Sequence, residues 1–76
     1  MKPALEAKII KIKGLENEQD ADTISNALQH VWGIGQVDVN ISRGEASISF
    51  DPSMASYEDF LQAIHERGYV VENGLQ

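Results

Sequence analysis

Five neighbouring residues could act together. Glu16, Asn17, Glu18, Asp20 and Asp22 put four carboxylates and one amide into a seven-residue stretch with no basic side chain. Oxygen donors of this kind suit a hard cation such as calcium or magnesium. The spacing is not that of the twelve-residue calcium loop, which needs a central glycine and a terminal bidentate glutamate. Two plainer readings compete: the acids start a helix and solvate its face, or they form a surface on which a partner docks. His65 is the other candidate ligand. One imidazole is not a metal site, but with the acids it could hold zinc or nickel. His30 is expected to face solvent. The chain has no cysteine, which excludes disulfides, thiolate catalysis and thiolate-bound metal clusters. Its only sulfurs are Met1 and Met54. No nucleophile elbow, phosphate loop or Ser/His/Asp arrangement is present, and Glu58, Asp59 and Glu66 read as charges on a helix face, so no enzyme and no cofactor are expected.

Hydrophobic periodicity supplies the frame for these residues. Residues 8–13 alternate as a half-buried strand, with Ile10 and Ile12 against Lys11 and Lys13, and Gly14 ends it. Ile24, Ala27, Leu28 and Val31 recur at helical spacing. The acids stand at the start of that helix, beside the positive end of its dipole, and Asp20 is a candidate cap. Gly33 and Gly35 end the helix. Val37, Val39 and Ile41 alternate as a second strand, Ser42 to Glu45 form a turn, and Ala46, Ile48 and Phe50 alternate as a third. Ser56 and Asp59 have capping-box spacing before a second helix carrying Phe60, Leu61 and Ile64. Gly68 stops it, and Tyr69-Val70-Val71 closes the chain as a strand.

The order β-α-β-β-α-β predicts an α+β, ferredoxin-like sandwich: a four-stranded antiparallel sheet with two helices on one face. Right-handed crossovers put the first and third strands in the centre. The expected core is Ile10, Ile12, Ile24, Leu28, Val31, Val37, Val39, Ile41, Ile48, Phe50, Phe60, Leu61, Ile64 and Val71. Trp32 is read as packing over the end of the first helix, with an exposed aromatic contact as the alternative. Met54 falls at the end of the fold opposite the 14–20 loop. The domain is assigned to residues 8–72, with tails at 1–7 and 73–76.

These residues resemble, in order, the heavy-metal-associated domains. That family occurs as copper metallochaperones and as amino-terminal modules of metal-pumping P-type ATPases. Its pattern is a strand, Gly-Met-x-Cys-x-x-Cys, a helix, a Gly-Val turn, a V-x-V strand, a strand ending in aromatic-Asp-Pro, a helix and a closing Gly-Tyr. Here Gly14-Leu15 stands at the Gly-Met, Ala21, Ile24 and Ala27-Leu28 on the helix, and Gly33-Ile34 at the turn. Phe50-Asp51-Pro52 closes the third strand, and Ala63-Ile64 with Gly68-Tyr69 completes the pattern. The resemblance places the two family cysteines at Asn17 and Asp20. Copper(I) is soft and selects sulfur, so a copper site is not expected here.

The resemblance implies a non-catalytic interaction or regulatory module linked to metal transport, with a metal-transporting P-type ATPase or a metallochaperone as protein partner. The expected contact surface is Leu15, Glu16, Asn17, Glu18, Asp20 and Tyr69, with the face of the first helix. The alternative is a domain of changed selectivity that binds a harder cation through Glu16, Glu18, Asp22 and His65. A net charge of −6 argues against nucleic acid, whose binders present a basic patch; the only basic cluster is Lys2, Lys8, Lys11 and Lys13. No stretch approaches the roughly 20 apolar residues of a membrane span, and a cytoplasmic location is the default expectation.

Overall fold

The computed structural model describes residues 4–72 of the chain. Met1, Lys2 and the 73–76 tail lie outside the described residues. Six elements follow in the expected order: β1 (Glu6–Lys13), α1 (Glu18–Gln29), β2 (Ile34–Asn40), β3 (Glu45–Phe50), α2 (Tyr57–Glu66) and β4 (Val70–Val71). The sheet order is β2-β3-β1-β4, all neighbours antiparallel. The first strand begins at Glu6, two residues before the alternation that announces it.

Burial follows the strand period. Ile10 and Ile12 on β1, and Ala46, Ile48 and Phe50 on β3, point to one face and are buried. Ile24, Ala27 and Leu28 of α1 and Phe60 and Ile64 of α2 cover them. Phe50 and Phe60 meet with ring centroids 4.9 Å apart and planes tilted by 46°, a geometry aromatic pairs favour. Leu15 and Ala55, from the loops at opposite ends, complete the layer. Val31, Val37, Val39, Leu61 and Val71 are only partly buried against it.

Two packing expectations need correction. Ile41 does not reach the core. Its strand stops at Asn40, because Asn40 Oδ1 accepts the Arg43 N–H at 3.1 Å and the Gly44 N–H donates to the Ile41 carbonyl at 3.1 Å. These bonds turn the chain out of the sheet. Trp32 is 81% exposed and covers nothing. The helix has already ended at Gln29, and it is Val31 that packs on the core. Gly35 does not stop the helix either; it sits in β2 beside a register shift between Ile34 and Gln36.

The alternation of β1 also divides its lysines. Lys8 is on the helix side, its Nζ 5.5 Å from the centroid of the Tyr57 ring. Lys11 and Lys13 point to the opposite side, so these three do not combine into one basic patch. Among the described residues no helix is long and apolar enough to cross a membrane.

Gly33 and Gly68 both hold a positive φ, 93° and 90°. A Cβ on Gly33 would meet Met54 Cβ at 2.9 Å and Ala55 Cβ at 3.2 Å, whereas one on Gly68 would meet nothing within 4 Å. Gly68→Ala should therefore cost only the left-handed backbone penalty, about 1 kcal/mol, and Gly33→Ala about 2–3 kcal/mol because a clash adds to it. Urea unfolding of both variants checks this. Equal losses would mean that residues 54 and 55 do not lie against Gly33 in solution.

Candidate functional site

Three segments meet at one end of the sandwich. β1 runs out through Gly14 into the loop that enters α1. The β2–β3 turn lies at the same end, where the Ile12 N–H donates to the Gly44 carbonyl at 2.8 Å. The chain leaving α2 arrives there through Gly68 and Tyr69, because β4 pairs with Ile12 and Lys13. Leu15 is buried and pins the loop to the core from below.

Hydrogen bonds hold the loop from above. Asn17, not Asp20, caps α1: its Oδ1 accepts the Asp20 N–H at 2.9 Å. Asparagine is among the favoured caps because it satisfies an amide that the helix leaves unpaired. The Asp20 side chain reaches back, its Oδ2 accepting the Glu16 N–H at 3.1 Å. Its other oxygen accepts the Tyr69 hydroxyl proton at 2.5 Å. Tyr69 follows Asp20 by 49 positions, so this bond ties the last strand's approach to the first turn of α1. The Tyr69 ring lies over the loop, with Cδ1 3.7 Å from where a Gly14 Cβ would stand.

The electrostatics follow from these bonds. The Tyr69 hydroxyl, first, and the Glu16 N–H hold the Asp20 carboxyl below its ordinary value. The bond to Asp20 in turn pushes the Tyr69 hydroxyl above its ordinary value, with burial and the Asp20 charge adding to the effect. Glu18 and Asp20 both sit in the first turn of α1, where the helix dipole favours negative charge.

Of the expected contact residues, Glu16, Asn17, Glu18, Asp20 and Tyr69 are brought together at this end, whereas Leu15 is buried under the loop as a core residue and offers no contact surface. The hard-cation candidates fare differently. Glu16, Glu18, Asp22 and His65 are all exposed. Among the described residues no three His, Asp or Glu side chains form a group that could hold a metal ion. A copper(I) ion does not fit positions 17 and 20. The Asn17 oxygen and both Asp20 oxygens are hard donors already engaged in hydrogen bonds. Met54 stands against Gly33, near the opposite end.

No protein-family model matches the chain. Individual relatives do match. Over 65 residues the chain is 29% identical to the copper chaperone CopZ of Staphylococcus epidermidis, covering 86% of this chain and 96% of that protein. The solved structure of a CopZ metallochaperone aligns with a TM-score of 0.85 at 25% identity, over 88% of this chain and all of that one. The N-terminal domain of a potential copper-translocating P-type ATPase from Bacillus subtilis, solved in the Cu(I)-loaded state, aligns with a TM-score of 0.85 at 23% identity, over 91% and 86% of the two chains; at that identity the likeness is one of fold. The chain is therefore similar to copper chaperones along nearly its whole length and shares the fold of the heavy-metal-associated domains, without their cysteine pair.

Because its folded-state value is lowered, ionised Asp20 adds stability above the ordinary carboxylate range, and that contribution is lost as pH falls through the folded-state value. Tyr69→Phe removes the larger cause, so the Asp20 carboxyl should titrate at a higher pH in this variant. Carbon-13 NMR of the aspartate carboxyls follows it directly. An unmoved Asp20 midpoint would mean that the Tyr69–Asp20 bond does not form in solution.

Proposed function

We propose that this chain is a metal-independent docking module of metal transport, with residues 8–72 as the working unit. It recognises a protein partner through the 14–20 loop, the first turn of α1 and Tyr69, and catalyses nothing. The observation that carries this reading is the fate of positions 17 and 20. In the pattern the chain resembles, cysteines at these two positions hold the metal. Here Asn17 and Asp20 grip the loop itself, through the Asp20 N–H, the Glu16 N–H and the Tyr69 hydroxyl. The surface is shaped without cargo, and a preformed surface loses less conformational freedom on binding.

The similarity to copper chaperones supports a setting in which the partner is a metal-transporting P-type ATPase or a metallochaperone, in the cytoplasm. Four carboxylates in the loop and first turns favour a basic partner surface and an association that is fast and weakened by salt.

The test uses the nitrogen-15-labelled chain and the N-terminal domain of a copper-translocating ATPase, with and without copper(I). Amide shifts should centre on residues 15–20 and 69. Affinity should drop roughly tenfold from low to high salt as the charges are screened, and copper should not change it. Copper(I) passing from the ATPase domain to this chain would overturn the reading, and so would contacts confined to the opposite end.

The double change Asn17→Cys and Asp20→Cys should reverse the arrangement. Two thiols at the start of α1 gain from its dipole and can take copper(I). The cap and both Asp20 bonds are lost, and the missing cap alone should cost about 1 kcal/mol. In the metal-free variant, amide exchange at residues 15–20 should quicken, and copper(I) should slow it again. A variant that keeps the slow exchange of the wild type without copper would show that the hydrogen bonds do not order the loop.

A further inference from the structure

We propose that the outer edge of β2 is a second docking site, which takes an extended segment of a protein partner as an added strand of the sheet. β2 and β4 are the two edges of the sheet. β4 is two residues long, whereas β2 runs for seven, Ile34–Asn40. Edge strands are usually blunted by lysine, proline or a bulge. β2 has no lysine and no proline, and its one irregularity lies at its start, between Ile34 and Gln36. From Val37 to Asn40 it pairs with β3 in unbroken register.

The direction of each backbone group follows from the ladder. In an antiparallel pair, alternate residues exchange their hydrogen bonds with the neighbouring strand. The Ile12 N–H donates to the Gly44 carbonyl, so Ala46, Ile48 and Phe50 bond to β1, and Glu45, Ser47 and Ser49 bond to β2. Asp38 and Asn40, which stand opposite Ser47 and Glu45, therefore point their N–H and C=O groups inward. Gln36 does the same, its N–H donating to the Ser49 hydroxyl at 3.1 Å. Val37 and Val39 point theirs outward. Among the described residues no hydrogen bond engages those two N–H and two C=O groups.

The side chains leave the same gap. On the helix side of the central strands Ile10, Ala46 and Phe50 are buried, but Val37 and Val39 are only partly buried. One more strand would finish their burial and satisfy all four backbone groups, which is how an extended segment adds to a sheet. The edge thus selects its occupant by backbone first: an extended segment with an apolar side chain beside each valine. On the other face the occupant would border Gln36, Asp38 and Asn40, so a basic or neutral residue suits the place beside Asp38 and an acidic one does not. Lys11 and Lys13 stand on β1, two strands away, about 10 Å from this edge. A second copy of this chain does not suit it. Two-fold pairing through Val37 and Val39 sets the two Asp38 side chains against each other, between chains that each carry a net charge of −6.

The test uses the labelled chain and a peptide of alternating valine and lysine with blocked ends. Without peptide, the Val37 and Val39 amides should exchange with solvent faster than those of Asp38 and Asn40. With peptide at about ten times its dissociation constant, exchange at Val37 and Val39 should slow about tenfold. N-methylation of the peptide's valines removes the donors that face the edge and should abolish this protection. N-methylation of its lysines, whose N–H groups point away, should preserve it. Val39→Pro deletes an outward donor at an edge position, where proline is tolerated, and should weaken binding about tenfold. Where Val39→Pro lacks a native amide spectrum, the two methylated peptides decide. Unchanged exchange at Val37 and Val39 in millimolar peptide would overturn the proposal. So would equal protection by both methylated peptides, or protection confined to residues 15–20. Concentration-dependent slowing at Val37 and Val39 without peptide would also overturn it, by making a second copy the occupant.

Discussion

One layer of apolar side chains, pressed between two helices and a single face of the sheet, sets the rest of the molecule. A chain of 76 residues has too few apolar groups to cover both faces of four strands, since small domains bury the least of their surface. Ile10, Ile24, Leu28, Phe50, Phe60 and Ile64 are fully enclosed in that layer. Its one-sidedness fixes which way every strand residue points. It also leaves the two ends of the sandwich to be closed by loops, with Leu15 sealing one and Ala55 the other.

Leu15 is where core and site become the same problem. Its side chain is anchored among the core residues while its backbone continues into the loop, so the loop's height above the sheet is set by packing. What remains is the loop's path from Glu16 to the helix. A carboxylate at position 20 can settle that path because it accepts two hydrogen bonds at once, from the Glu16 amide and the Tyr69 hydroxyl. An amide at position 17 supplies the complementary acceptor for the Asp20 N–H. Asn17 thus satisfies one amide at the exposed start of the helix, a task that every helix presents, and Asp20 satisfies one in the loop before it.

The fold was legible because alternation and helical spacing agree at every element, and the sheet order follows from crossover handedness. The misreadings of Ile41 and Trp32 both concern residues beside turns, where the chain leaves the period of the element before it. Ile41 keeps the strand's period but follows Asn40, whose side chain turns the chain. Trp32 has the size of a core residue, but the helix stops three positions earlier and Val31 takes the inner place. At the site, the helix start and the acidic cluster were readable from local sequence. The Asn17 cap had a local signal too, since asparagine is a favoured cap and stands three residues before Asp20. The Tyr69–Asp20 bond had none. It joins residues 49 positions apart, and only the topology, by laying β4 beside the end of β1, brings them together.

That topology also explains why a loop of this kind keeps its shape without an ion. The Tyr69 hydroxyl links the loop to a different part of the chain, held in place by the pairing of Val70 and Val71 with β1. Swinging the loop outward would break the Tyr69–Asp20 bond and expose Leu15 at the same moment. A loop restrained in that way takes its shape from the fold around it.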